Sequence, residues 1–153
     1  TQDNVADYLN ANIDVVIEAT DSVKAKAAII AFCKRNKLPV ITVGGAGGQI
    51  DPRQITSGDL AKTIQDPLSA KLRSELRRFY NFSKNPKRRF GVECVYSTEQ
   101  LRYPQPDGSV AMNKSIQDGS TRLDCSSGFG ACAMVTSTFG MVAASRAIEK
   151  LLK

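Results

Sequence analysis

Two short apolar runs, separated by an amphipathic segment, stand near the start of the chain. Residues 13–19 and Val40–Val43 are almost continuously apolar, as is typical of strands buried on both faces. Between them, apolar residues recur at helical spacing, which predicts a helix over residues 22–36 that ends before Pro39. Two buried strands joined by such a helix predict a parallel β–α–β unit with a right-handed crossover. A short amphipathic helix is predicted ahead of it, over residues 3–9.

The pattern becomes less regular after a glycine cluster at residues 44–48. Residues 54–56 are predicted to form a short strand, and residues 59–63 a turn or a helical fragment. Asp66 followed by Pro67 is a strong start signal for a helix, because an acidic cap precedes proline at the first helical position. The apolar spacing that follows predicts that this helix is amphipathic.

The second half of the chain is predicted to contain a basic loop, two extended segments and a long helix. The loop covers residues 81–89, a strand follows at residues 92–96, and a hairpin turn is predicted at residues 104–108. Residues 129–152 read as one helix of small and apolar residues.

Residues 125–145 contain no charged side chain, which raises the alternative of a membrane-spanning segment. Glycine, serine and threonine are frequent there, so we favour a buried central helix. Gly128, Gly130 and Gly140 would then allow close helix packing.

Composition favours a single soluble domain without histidine chemistry. The chain has 153 residues, 42% of them hydrophobic, with four cysteines and no histidine. Because no CxxC pair is present, the sequence argues against a tetrahedral zinc site. We expect free thiols, with Cys33, Cys94 and Cys132 as packed side chains.

The positive charge is concentrated in residues 71–89. This segment has a local excess of +7 in a chain whose formal net charge is +6. Aromatic residues interleave with the cations, a combination suited to RNA phosphates and unstacked bases. The alternative is an ordinary solvated helix face. The cations that we expect to contact nucleic acid are Arg73, Arg77, Arg78, Lys87, Arg88 and Arg89.

Asp21 follows the first strand, at the edge where parallel sheets bind their ligands. Its carboxylate could hold Mg²⁺ on a triphosphate. From the pattern alone, the favoured alternative is that Thr20 or Asp21 simply caps the following helix, and both roles could coexist. Glu18, inside the strand, needs a partner or solvent because an unpaired buried charge is unfavourable.

Two further features are open to a functional or a structural interpretation. The glycines at 44–48 match neither GxGxxG nor GxxxxGK[ST], so close packing is favoured over a phosphate loop. Cys125 precedes the long helix, whose dipole favours a thiolate, but Asp124 beside it acts in the opposite direction. A structural cysteine is somewhat favoured.

Three segments together carry a resemblance to a known family. They are TVGGAGGQIDP at 42–52, DLAKTIQDPL at 59–68 and DCSSGFG at 124–130. They resemble the tRNA threonylcarbamoyladenosine dehydratase branch of the ThiF/MoeB/HesA superfamily, whose members are related to ubiquitin-activating enzymes. The likeness covers essentially the whole chain.

The resemblance implies an α/β fold that is the C-terminal part of a Rossmann-like ThiF/MoeB-type domain. Its parts would be a parallel β–α–β unit, antiparallel strands and a long C-terminal helix. We expect one domain over residues 1–153, with 1–58 as the β–α–β part and 59–153 as the substrate and dimer part. Members of the family carry their phosphate loop upstream of these segments. Because residue 1 is Thr, we expect a longer parent protein.

The implied activity is ATP-dependent activation of a carboxylate on a modified tRNA adenosine, followed by ring closure with net loss of water. Asp21, with Ser22, would contact ATP and Mg²⁺, while Glu18 stands where relatives often have Asp. Cys125 corresponds to a cysteine considered for sulfur relay, and we give it a minor catalytic role. Zinc is not expected. Residues 1–153 alone are expected to turn over no ATP.

The expected partners are tRNA, a second copy in a homodimer and a sulfur-transfer protein. The expected location is the cytoplasm, with peripheral membrane association allowed but no obligate insertion. Two alternatives remain at this point: an adenylyltransferase for a sulfur-carrier or ubiquitin-like protein, and a non-catalytic dimerising RNA-binding fragment.

Overall fold

A four-stranded mixed sheet forms the centre of the computed structural model, which describes residues 4–9, 12–105, 107–112 and 130–153. The strand order is β1-β2-β4-β3. β1 and β2 pair in parallel, as do β2 and β4, whereas β3 runs antiparallel to β4. The four strands are β1 (Val16–Glu18), β2 (Val40–Val43), β3 (Ile55–Asp59) and β4 (Glu93–Ser97).

β1 is shorter than the predicted run over residues 13–19, and local hydrogen bonds explain both of its ends. The Val16 N–H donates to the carbonyl of Pro39 at 2.9 Å, where the partner segment has just begun. Pro39 has no N–H to continue the pairing upstream. At the other end, the Thr20 N–H donates to the Glu18 carboxylate at 2.8 Å, so it does not pair with a neighbouring strand and β1 ends there.

Within the described residues, four α-helices accompany the sheet: α1 (Val5–Tyr8), α2 (Val23–Arg35), α3 (Pro67–Phe79) and α4 (Ala133–Leu151). The side chain of Ser22 caps α2, so the prediction that Thr20 or Asp21 caps it is wrong. Asp66 caps α3 through the Ser69 N–H at 3.1 Å, which confirms the start predicted there. The predicted helical fragment after β3 is a short 3₁₀ turn, Leu60–Lys62.

The two faces of the sheet carry different helices. α2 and α3 cover one face, where Ile30, Leu72 and Leu76 pack with side chains of β2 and β4. α4 covers the other face, where Val135 and Phe139 pack on Ile41 and Val95. The Glu93 carboxylate of β4 further ties α4 to the sheet through Arg146 and Lys150. The predicted α/β class is confirmed.

α4 differs from the predicted buried central helix of residues 129–152. Its N-terminus is set by a backbone bridge between Gly47 and Ala131, which holds residue 131 extended. Only one face of α4 packs on the sheet, and Met134 and Met141 remain 60% and 73% exposed. The close packing predicted at Gly140 is not present among the described residues, because a Cβ there would meet no atom within 4 Å.

A Cβ on Gly130 would likewise meet no atom within 4 Å, so the close packing predicted there is also not present among the described residues. Gly128 lies outside the described residues. In the part of the chain that the structure describes, no helix has the length and apolarity needed to cross a membrane. The hairpin predicted around residues 104–108 is confirmed as the antiparallel pair β5 (Tyr103–Pro104) and β6 (Val110–Ala111).

Candidate functional site

The carboxyl ends of β1 and β2 meet at one edge of the sheet because the two strands are parallel. Asp21 follows β1 and Gly44 follows β2, so the two segments singled out in the sequence lie at the same edge. This is the edge at which open α/β sheets bind ligands.

The Asp21 carboxylate is exposed, and it makes no hydrogen bond or ion pair with any residue that the structure describes. Ser22 beside it accepts the Ala25 N–H at 3.4 Å, and its hydroxyl proton remains available to donate. No group of three or more His, Cys, Asp or Glu side chains among the described residues could hold a metal ion. Any cation at Asp21 would therefore need ligands beyond these described side chains, and the oxygens of a bound phosphate are of a suitable kind.

A buried ion pair supports the turn that presents Asp21. Glu18 and Lys26 are 2% and 0% exposed, and their side chains are 2.8 Å apart. Glu18 also accepts the hydroxyl of Thr42 at 2.6 Å, along with the hydroxyl of Thr20 at 2.6 Å. Lys26 in turn donates to the Thr20 carbonyl at 2.7 Å. The network links β1, β2 and α2 directly beneath Asp21.

Sequence reasoning found Glu18 but missed Lys26. The signal was present: Lys26 stands three residues after Val23 and four before Ile30, on the stripe that faces the sheet. A lysine at an inward position needs a buried acid, and Glu18 is the acid that sits inside the strand. The partner that Glu18 required is thus supplied by α2.

The glycines after β2 make room for the capped end of α3. A Cβ on Gly44 would lie 2.1 Å from Asp66 Oδ2, which is far inside any allowed contact. The Gly45 N–H faces the same carboxylate at 3.3 Å from both oxygens. Asp66 also accepts the Ser69 hydroxyl at 2.5 Å. The packing interpretation is confirmed at Gly44 and Gly45, since a carboxylate occupies the space that a phosphate would need.

A second hollow lies further along this edge. Its volume is about 440 Å³, and Gly48, Gln49, Arg102 and Cys132 are among its lining residues. Gly48 has φ of 73°, a conformation that glycine adopts without strain. Nearby, the buried Glu99 carboxylate accepts the N–H groups of the two residues after Gln49, at 2.9 and 2.8 Å. Glu99 and Arg102 carry no sequence motif and were not singled out.

The two buried cysteines, Cys33 and Cys94, are poor nucleophiles. Burial raises the pKa of Cys33 to about 11 and that of Cys94 to about 12, which keeps both thiols protonated. Cys33, Cys94 and Cys132 are free thiols, and Cys132 lies at the cap of α4 rather than within the helix. Cys125 and Asp124 lie outside the described residues.

The basic segment is divided between inward and outward cations. Arg73 donates to the Thr63 carbonyl at 3.2 Å and to its hydroxyl, and burial together with Arg77 lowers the pKa of Arg73. Arg77 donates to the Ser83 carbonyl at 3.2 Å. The remaining predicted contacts are exposed: Arg78, Lys87, Arg88 and Arg89.

An open groove adjoins these outward cations. It has a volume of about 570 Å³ and lies between the C-terminal ends of α2 and α3. Its floor and walls combine aromatic rings with basic side chains from both helices and the following loop. The residues that matter here are Lys34, Arg35, Phe79, Phe82, Arg89 and Phe90. Sequence reasoning missed Lys34 and Arg35, because about 45 residues of chain separate them from Phe79 and only the fold brings them together.

Comparison with known proteins gives one family and close relatives. The ThiF family model matches residues 1–153. The chain is 57% identical over 152 residues to the tRNA threonylcarbamoyladenosine dehydratase of Escherichia coli (strain K12), covering 99% of this chain and 57% of that protein. It is 56% identical over 151 residues to the Haemophilus influenzae protein of the same name, covering 99% and 55%.

Solved structures agree with this. The chain matches a structure of the E. coli dehydratase in complex with ATP with a TM-score of 0.81 at 51% identity, covering 99% of this chain and 53% of that one. A structure of the same enzyme in complex with AMP gives a TM-score of 0.81, also at 51% identity, with 99% and 54% covered. The chain spans a little over half the length of the curated relatives it matches.

Proposed function

Because the chain belongs to the ThiF family, we propose that the full-length protein is an ATP-dependent enzyme that cyclises threonylcarbamoyladenosine in tRNA. The threonyl carboxylate attacks the α-phosphate of ATP and releases pyrophosphate. A nucleophilic atom of the same modified nucleoside then attacks the activated carbonyl carbon, and AMP leaves. The net change is loss of water from the nucleoside, and no enzyme nucleophile is needed. The names of relatives that are 57% and 56% identical to this chain over the aligned residues support the proposal.

The observation that carries the proposal is the free carboxylate of Asp21 at the ligand-binding edge of the sheet. A carboxylate oxygen is a ligand that Mg²⁺ prefers, and its exposure leaves it accessible to a nucleotide phosphate. The neighbouring cation, Lys26, is already neutralised by Glu18 and does not compete for Asp21. The donor chemistry at Asp21 thus fits the proposed ion. When bound, Mg²⁺ would neutralise phosphate charge, while Ser22 would donate a hydrogen bond to the nucleotide.

An Asp21→Asn substitution in the full-length protein tests this role. We expect ATP–pyrophosphate exchange that depends on modified tRNA to fall on the order of 100-fold, as when one preorganised charge-stabilising group is lost. Asp14→Asn, at an exposed position ahead of β1, is the matched control and should retain full exchange. Unchanged exchange in Asp21→Asn would contradict the assignment.

We also propose that the exposed face of α4 joins two copies of the protein. Met134, Met141 and Ile148 recur every seven residues on that face and are 56–73% exposed. Gly140 beside Met141 is open, so another helix could approach closely there. Sedimentation equilibrium of the full-length protein should give a dimer, and Met141→Arg should give monomers. Dimers that persist in Met141→Arg would exclude this face.

The outward cations support tRNA as the substrate, because a concentration of positive charge favours the RNA backbone. The division into residues 1–58 and 59–153, the lack of ATP turnover by residues 1–153 alone, the sulfur-transfer partner and the role of Cys125 stay predictions.

A further inference from the structure

The groove between α2 and α3 lies at the end of the sheet opposite Asp21. Asp21 precedes the first turn of α2, whereas Lys34 and Arg35 belong to its last turn. A helix of 13 residues is about 20 Å long, so a ligand in the groove is separated by roughly that distance from the proposed reaction site. The groove is therefore a separate site.

Aromatic side chains give the groove a preorganised wall. Phe79 is 59% exposed, and the Arg78 guanidinium lies over its ring at 5.0 Å. Phe82 and Phe90 meet edge to face with centroids 5.0 Å apart, and the Arg77 guanidinium lies over Phe90 at 5.2 Å. Arg78 covers one face of the Phe79 ring, and the exposed remainder of that ring is a surface on which a planar group can stack.

The cations of the groove are available to an anion. Arg35 and Arg89 are exposed and make no hydrogen bond or ion pair with any described residue. Lys34 donates to the Gly91 carbonyl at 3.2 Å and keeps two further donors. Among the residues that the structure describes, no acidic side chain lines the groove. Lys34 and Arg35 also complement the dipole of α2, but that explanation does not extend to Arg89 or Phe79.

We propose that this groove binds an unpaired nucleotide of the tRNA substrate, at a position other than the nucleotide that reacts. Its base stacks on Phe79, and the phosphates that flank it contact Arg35 and Arg89. The proposal rests on the tRNA substrate of the proposed function. A single-stranded segment is favoured over a duplex because stacking on a side chain requires a base that is free of its neighbours.

The first test replaces the stacking ring in the full-length protein. Phe79→Ala should weaken binding of a threonylcarbamoyladenosine-containing tRNA, and of a short single-stranded oligoribonucleotide, by about tenfold. Phe79→Trp should restore binding, and its added indole fluorescence should be quenched by the oligoribonucleotide. Phe79 is largely exposed, so an unchanged melting temperature is expected for both variants.

The second test removes the two free guanidinium groups. The double substitution Arg35→Gln and Arg89→Gln should reduce the salt dependence of oligoribonucleotide binding. We expect the slope of the logarithm of the binding constant against the logarithm of salt concentration to fall in magnitude by about 1.4, the value for two phosphates of a single strand. Lys153→Gln, an exposed position after α4 on the opposite face of the sheet, is the control and should leave the slope unchanged.

Three results would overturn the proposal: equal tRNA affinity in Phe79→Ala, equal competition by duplex RNA of the same length, or binding of a glutamate-rich peptide in place of RNA. The proposed function is scored separately by cyclisation of the modified nucleoside. If the parent protein cyclises the modified nucleoside and Phe79→Ala binds tRNA as tightly as the parent, the groove proposal is wrong and the proposed function stands. If Phe79→Ala binds RNA more weakly but the parent protein does not cyclise the nucleoside, the groove proposal stands and the proposed function is wrong.

Discussion

The two ends of the sheet use charge in opposite ways. At the carboxyl edge, Glu18 and Lys26 are buried and their hydrogen bonds are made within the protein. At the amino end, Arg35 and Arg89 are exposed and have no partner among the described residues. The first arrangement holds a turn in place, whereas the second is open to a ligand.

The comparison teaches that local charge density does not identify a binding residue. Arg73 and Arg77 belong to the basic segment, yet their guanidinium groups bind carbonyl oxygens of the chain. Lys34 and Arg35 lie outside that segment, yet they line its groove. Arg73 and Arg77 are occupied by internal partners, whereas Arg35 has none among the described residues and Lys34 keeps two donors beyond its bond to the Gly91 carbonyl.

The largest expected effect comes from breaking the buried pair. Lys26→Met should lower the free energy of unfolding of the full-length protein by about 3–5 kcal/mol, because Glu18 would be left buried without a countercharge. Urea unfolding measures the loss. Lys24→Met, at an exposed position on the same helix, should change stability by less than about 0.5 kcal/mol.

Adding Glu18→Gln to Lys26→Met removes the uncompensated charge, so we expect much of the lost stability to return. This double substitution distinguishes a charge effect from a packing effect of methionine. If Lys26→Met unfolds at the same urea concentration as the parent protein, the buried network does not stabilise the turn.

A smaller effect is expected at Glu93, which lies between the two extremes of exposure. Its side chain is 13% exposed and those of Arg146 and Lys150 are 34% and 32% exposed. Burial acts to raise the pKa of Glu93, but hydrogen bonds from Arg146 and Lys150 outweigh it and lower the pKa below the ordinary 4.5. Glu93→Gln should cost about 1 kcal/mol at neutral pH, because the pair is partly hydrated.

The pH dependence of that loss follows from the direction of the shift. A carboxylate with a lowered folded-state pKa contributes fully above its unfolded value of 4.5, and the contribution disappears as the pH falls through the folded value. The stability difference between parent and Glu93→Gln should therefore shrink below pH 4.5. Glu75→Gln is the control substitution. If the stability difference between the parent protein and Glu93→Gln is constant with pH, the electrostatic explanation is wrong.

Features with local signals were predictable from the sequence. The β–α–β unit follows from two apolar runs around an amphipathic segment, and the start of α3 follows from Asp66 and Pro67. Asp21 was placed at the correct edge because parallel strands share their carboxyl ends. Each of these inferences needs only residues that are close in sequence.

Features that depend on tertiary neighbours were not predictable in this way. The length of β1 is set by Pro39 on the adjacent strand, and the exposed face of α4 depends on which helix face meets the sheet. The groove joins the end of α2 to the end of α3, and no periodicity relates these two segments. Glu18 and Lys26 each carry a signal in the sequence, but their contact depends on the register of α2 on β1.

The contact between Gly44 and Asp66 has a consequence for the evolution of the family. Because a methyl group on residue 44 would overlap the carboxylate that caps α3, residue 44 cannot gain a side chain while that carboxylate stays in place. A descendant that gains a side chain at 44 must first shorten or lose the one at 66, and α3 would then need another cap. The order of the two substitutions is thus constrained, although the positions are 22 residues apart in the sequence.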